Sequence, residues 1–292
     1  MSEARKDRLV EAALDDIPKG LNTTYTRMLR QIDSQESYMR ALALKCFAWV
    51  IHAKRLLRRE ELQDAIATES PCRSREDLEL DEVNVILKAC ANLIAEENGF
   101  IRPIHYSVQE FFTNPGLGSL QGCCLENIRE PNFAHRILAT GCLLYLQLDV
   151  LTEGPCDNTY WLYRRLKKYP FLWYAARFFD RHVLDLPDLP EEIFGLVTTL
   201  FNRDGPSLAA VLQMLAIQDP FDIDRIIGDF TEVSFEVSAS TILYSTVLFN
   251  VPQIAEQYTG IALSDYVLHR ASAGGLIDLV IRLIGDGYDV KE

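Results

Sequence analysis

The sequence predicts a mainly α-helical fold with one small β-hairpin and helical repeats at the C-terminus. Three observations carry that expectation. Apolar residues recur at helical spacing through most of the 292 residues. Asn98-Gly99 divides two short strand-like runs. The segment from Leu268 onward spaces its residues as an ankyrin repeat does.

Residues 4–33 read as two short helices broken at Pro18-Lys19-Gly20, since proline and glycine both disfavour a helix interior. Residues 36–53 form a nearly all-apolar run with Leu42, Leu44, Cys46, Phe47, Trp49, Val50 and Ile51. A helix apolar on most sides is buried on most sides. Residues 58–68 make an amphipathic helix with Leu62 and Ile66 spaced by four, and 78–92 make a third. Both residues of Asn98-Gly99 take positive φ readily, which suits a two-residue type I′ hairpin between the runs 93–97 and 100–105. Pro103 cannot donate to a ladder, so its strand is expected at an edge. Ser107 and Glu110 have the spacing of a capping box opening a helix over 107–112. Asn114-Pro115-Gly116 stops that helix. Three helices followed by a two-stranded wing is the order of a winged helix. After a glycine-rich linker, 131–235 reads as helical runs separated by turns with prolines at 155, 170, 187, 190, 206 and 220.

The ankyrin template asks for T-P-L-H-x-A, a glycine, paired aliphatics, and a closing G-x-D-V. Leu268, His269 and Ala271 take the first places, although Tyr266 and Val267 stand where Thr-Pro would be. Gly275, Leu279-Val280, Leu283-Ile284, Gly287, Asp289 and Val290 complete the repeat without insertion or deletion. Upstream, Thr241, Leu243, Tyr244 and Ile254 fit a degenerate repeat. One such unit cannot bury its own apolar face, and about three are needed for stability. The last repeat is therefore expected to be exposed, uncapped and prone to self-association.

Composition narrows the function. The formal charge is −13, and an acidic chain repels phosphate backbones and anionic membranes. The seven cysteines show no C-x-x-C pair and no neighbouring histidines, so neither a zinc site nor a disulfide framework is expected, and the thiols read as reduced and mostly buried. The charged N-terminus has no signal-peptide character. The longest uncharged run, Val237 to Ala255, is too polar for a bilayer-spanning helix. A cytoplasmic chain without cofactor or metal is the expectation. Catalytic motifs are missing as well. No Gly-Lys dipeptide provides a phosphate loop, Gly205-Pro206-Ser207-Leu208-Ala209 lacks the second glycine of a nucleophile elbow, and no H-E-x-x-H occurs. No catalytic residue is assigned.

Several stretches resemble fungal NACHT–ankyrin proteins, which are NLR-like signalling NTPases of the STAND class. DDIPKGLNTTYTRMLRQI (15–32) is similar to the helical segment that follows their NTPase core. AWVIHAKRLLRREELQDAIA (48–67) and IRPIHYSVQEFF (101–112) are similar to the two ends of their winged helix, of the type also named after GPI inositol-deacylase; that label implies no esterase. YPFLWYAARFFDRHV (169–183) and the ankyrin run continue the correspondence in the same order. The family's NTPase core, with its phosphate loop and magnesium-binding acid, has no counterpart here, which implies a truncated relative or an incomplete gene reading. The resemblance implies a tail of the helical domain over 1–35, a winged helix over 36–113, a linker over 114–130, a helical region over 131–235, and ankyrin-type repeats over 236–292, one degenerate and one good.

His105 is the sharpest candidate residue. The resemblance implies that, beside an NTPase core, this histidine contacts the nucleotide's terminal phosphate and holds the off state. Its place between a strand end and a helix N-terminus suits an anion. Without that core it packs at a domain corner. The third helix carries Glu79, Asp81 and Glu82 against Lys88, the wrong sign for DNA. Lys54, Arg55, Arg58 and Arg59 read as a solvated helix entrance. Residues 160–181 interleave aromatics with six basic residues, but Phe171, Tyr174 and Phe178 keep core-stripe spacing, so a core with a basic outer face is expected. That face offers a dock for an acidic partner. His269 is a structural histidine that bridges neighbouring ankyrin loops. The expected function is a non-catalytic interaction and regulatory module coupling a nucleotide switch to an ankyrin sensor. A winged-helix regulator that binds nucleic acid is the alternative.

Overall fold

A computed structural model describes residue 20 and residues 23–114, 120–201 and 206–215. The ankyrin residues Leu268, His269, Ala271, Gly275, Gly287 and Asp289 lie outside these, as do residues 1–19. The described part is mainly helical with one small antiparallel sheet. It forms two compact units. One combines the segment up to Ile66 with Asp81–Ala134; the other combines Ala67–Leu80 with the segment from His135 onward.

The first unit begins with helix α1 over 23–33. It continues with α2 (Ser37–His52), β1 (Leu57–Arg58), α3 (Arg59–Ala67), α4 (Val83–Ala89), β2 (Ile94–Glu97), β3 (Phe100–Pro103) and α5 (Tyr106–Thr113). Helix α2 buries Leu42, Ala43, Cys46, Phe47, Ala48, Trp49 and Ile51, as its continuous apolar run requires. Aromatic rings close the core. Phe47 meets Phe112 at 4.8 Å between centroids, and Tyr25 of α1 meets Phe111 edge-on at 5.6 Å.

Asn98 and Gly99 have φ of 53° and 79°, the positive pair a type I′ turn demands. Pro103 is not on an edge strand, however. The order is β1-β3-β2, so β3 is central. The proline is tolerated because β1 is two residues long and pairs only with Ile101 and Phe100, ending before it reaches Pro103. On the other side Pro103 faces Ile94, and the ladder bond falls one residue later, from Ile104 N–H to the Leu93 carbonyl at 3.0 Å.

The third helix is shorter than the expected 78–92. Ala91 and Asn92 have φ of 49° and 57°, a left-handed pair that terminates it. Upstream, Ser74 and Asp77 cap a 3-10 turn, Arg75–Asp77, instead. The expected linker also carries structure. Within 120–130, a 3-10 turn spans Glu126–Arg129, and Leu125 and Ile128 are fully buried.

The second unit contains α6 (Pro131–Tyr145) from His135 onward, α7 (Asp149–Thr152), α8 (Thr159–Lys168), α9 (Leu172–Leu184), α10 (Glu191–Leu200) and α11 (Pro206–Leu215). Helix α11 packs on α9 and α7. Phe171 and Tyr174 are fully buried and stacked at 5.4 Å, and Phe178 is 8% exposed, so the expected core stripe is in place. Among the described residues no helix is long and apolar enough to cross a membrane.

Candidate functional site

His105 is the N-cap of α5, with extended backbone at φ −152° and ψ 149°. The cap therefore falls two residues before Ser107, the expected capping residue. A histidine ring supplies the acceptor: Ser107 N–H donates to His105 Nδ1 at 3.2 Å. Ser107 Oγ also lies 2.6 Å from that nitrogen and 2.6 Å from Tyr25 Oη. With Nδ1 accepting, the hydroxyl protons run in one direction, from Tyr25 to Ser107 to His105. That assigns the ring proton to Nε2. His105 is exposed. Ile104 and Tyr106 flank it and are 49% and 72% exposed. The sensor candidate is thus a fixed donor in an exposed apolar setting, tied to α1 through one serine.

The basic run before α3 is solvated at Arg59 and paired inward at Arg55. Arg55 makes a bidentate pair with Glu61 at 2.6 and 2.7 Å, and the Glu61 carboxylate is fully buried. Glu61 also accepts from Arg58 N–H at 2.8 Å. The Arg58 guanidinium lies over the Phe100 ring at 5.0 Å, and Arg59 pairs with Glu60 and Glu96. Acidic side chains therefore pair with two of these four basic residues, Arg55 and Arg59.

The basic-aromatic stretch splits by helix. On α9 the aromatics are core. On α8, Tyr160 and Trp161 are 57% and 54% exposed. They border an open groove of about 1160 Å³ with Arg73, Arg164, Lys167 and Lys168. Glu76 pairs with Lys168 at 3.0 Å, and its carboxyl is held down to about 2 by bonds from Ser74 and then Lys168. Among the described cysteines Cys46, Cys90 and Cys142 are buried, and the other four are half-buried, fewer buried thiols than expected.

Two clusters escaped the sequence reading. In the second unit His135 Nδ1 lies 3.0 Å from His182 Nδ1, His182 Nε2 lies 3.0 Å from Tyr174 Oη, and His135 Nε2 lies 3.2 Å from the Asp185 carboxylate. In the first unit, Cys124 donates its backbone N–H to Asp33 at 2.7 Å, and Asp33, Cys123 and Cys124 bring their donor atoms together. The members of each cluster come from distant positions, so no local motif marks them.

No family model matches the sequence, and no solved structure matches it. The chain is similar to the azaphilone pigments biosynthesis cluster protein L of Monascus ruber. The two are 27% identical over 214 residues, which is 69% of this chain and 42% of that protein. The match thus spans less than half of the relative's length.

Proposed function

We propose that this chain is a non-catalytic regulatory and interaction module of an NLR-like signalling NTPase. In this reading the first unit is the winged helix of a NACHT–ankyrin protein, and it receives the state of a nucleotide held by an NTPase core. The order helix, strand, helix, helix, hairpin, with β1 added beside β3, supports the winged-helix assignment. The observation that carries the functional reading is the chain Tyr25–Ser107–His105. Helix α1 lies in the stretch that resembles the segment following the NTPase core. It is bonded to Ser107, whose hydroxyl and backbone N–H in turn bond His105 Nδ1. A movement of that helix would reach the histidine without an intermediate element. The exposed Ile104 and Tyr106 give the core an apolar surface to cover. The ankyrin-type end would supply the partner-sensing surface, and the groove beside α8 would take an acidic segment of a partner.

The test uses an NTPase core prepared from a full-length NACHT–ankyrin relative. Mixed with this chain, the ADP-loaded core should form a complex, and Tyr106→Glu together with Ile104→Glu should abolish it. The chain alone should show no ADP or ATP binding by calorimetry, because it lacks a phosphate loop. Micromolar nucleotide binding by the isolated chain, or no complex with any ADP-loaded core, would defeat the proposal.

A further inference from the structure

The turn after Leu120 returns to the C-terminal end of α1 and seats two adjacent thiols against one carboxylate. Both thiols lie beside Asp33, which accepts the Cys124 backbone N–H at 2.7 Å. The donor atoms of Asp33, Cys123 and Cys124 all lie within 4.8 Å of one another. The loop is fixed by its own bonds. Gly122 takes φ of 77°, where a side chain would be strained, and gives its N–H to Glu126 at 2.8 Å. Cys123 N–H donates to the Leu120 carbonyl at 2.8 Å, and Leu125 is fully buried just beyond. A pocket of about 220 Å³, lined by Asp33, Cys123, Arg30, Gln121 and Gly122 among others, adjoins the cluster.

We propose that Asp33, Cys123 and Cys124 form a binding site for a zinc-class divalent cation, with a fourth position open to water from the adjoining pocket. Two thiolates and a carboxylate are a zinc donor set, and three protein ligands with one open position is a known zinc arrangement. Thiolate softness selects against magnesium and calcium, which take oxygen ligands.

Zinc binds thiolates, so both thiols give up their protons on binding. The balance is an exchange: the metal ion forms two metal–sulfur bonds, and the two S–H protons leave to solvent. Nothing is oxidised. One negative charge stands on the cluster before binding. Three stand against two positive charges afterwards, so the net charge is unchanged and Arg40, whose charge favours ionised Asp33, faces the same field.

The full chain, reduced and stripped of metal, should be titrated with zinc by calorimetry in buffers of different ionisation enthalpy. The expected result is one site with a Kd of about 10 µM or tighter and release of about two protons per metal. The double substitution Cys123→Ser, Cys124→Ser should weaken binding at least about tenfold while the circular-dichroism spectrum stays helical, and Asp33→Asn should weaken it less. Should the double variant fail to fold, cadmium added to the wild-type chain reports thiolate ligation through its ultraviolet charge-transfer band. No zinc binding tighter than about 100 µM, unchanged binding in the folded double variant, or no cadmium–thiolate band would overturn the proposal.

Discussion

Tyr25 Oη lies 2.6 Å from Ser107 Oγ, which joins α1 to the first turn of α5 across 82 positions of sequence. Tyr25→Phe removes the outer donor and leaves the ring in its edge-on contact with Phe111. The cap at His105 survives, because Ser107 still donates to Nδ1. The expected cost is about 1 kcal/mol in urea denaturation, with α5 still formed. An unchanged midpoint would show that this link contributes nothing.

Arg55 and Glu61 make a different kind of pair. Glu61 is fully buried, and Arg55 supplies both of the charge-assisted bonds between their side chains. Arg55→Met keeps the stem and leaves a buried carboxylate with only the Arg58 N–H. Breaking a buried pair from one side costs about 3–5 kcal/mol. Because Arg55 is 25% exposed, the lower end of that range is expected. Replacing both residues, Arg55→Met with Glu61→Leu, should recover part of the loss in the same denaturation assay.

The chain Asp185–His135–His182–Tyr174 has a directional proton arrangement. With His135 Nε2–H given to Asp185, His182 Nδ1–H donates to His135, and Tyr174 O–H donates to His182 Nε2. Tyr174→Phe leaves a buried acceptor without that donor, at a cost of about 1–3 kcal/mol. His182→Phe removes the ring nitrogen that the Tyr174 hydroxyl meets. In a double-mutant cycle the two losses should be non-additive by about 0.5–3 kcal/mol. Strict additivity would mean that the two rings are not coupled.

Cys123 gives a dependence on alkaline pH. Its thiol rises from 9.0 to about 11 in the folded chain, mainly through burial, with Asp33 adding to it. The folded state thus holds the proton more tightly than the unfolded state. The resulting stability is fully present below pH 9 and is lost as pH rises through about 11. Metal-free wild-type chain should lose stability over that window more steeply than Cys123→Ala. Alkylation of Cys123 at pH 8 should also be slower than that of free cysteine. Equal alkaline slopes would remove the thiol from the account.

The features legible in sequence were those written locally. The hairpin followed from Asn98-Gly99, and α2 followed from its apolar run, because each depends on neighbours within a few residues. The cap of α5 was misplaced because Ser107 has the preferred cap chemistry, whereas the structure uses the ring nitrogen of His105. The third helix was drawn too long because nothing in the side chains of Ala91 and Asn92 announces a left-handed backbone. His135 and His182 are 47 positions apart. Asp33 and Cys124 are 91 apart. Clusters of that kind exist only once the helices that carry their members have packed.

We propose that His105 Nε2–H meets the terminal phosphate of a nucleotide held by an NTPase core. A contact shifts a two-state equilibrium only by its difference between the states, and on this proposal the contact would exist only in the closed, ADP-bound form. The most direct measurement is the rate of ADP release from that core in complex with this chain, comparing wild type with His105→Ala. Losing a hydrogen bond to a charged group is worth about 1.5–3 kcal/mol, so release should be roughly tenfold to a hundredfold faster. Unchanged ADP release by a His105→Ala chain that remains folded and bound to the core would contradict the sensor assignment and leave the histidine as a helix cap alone.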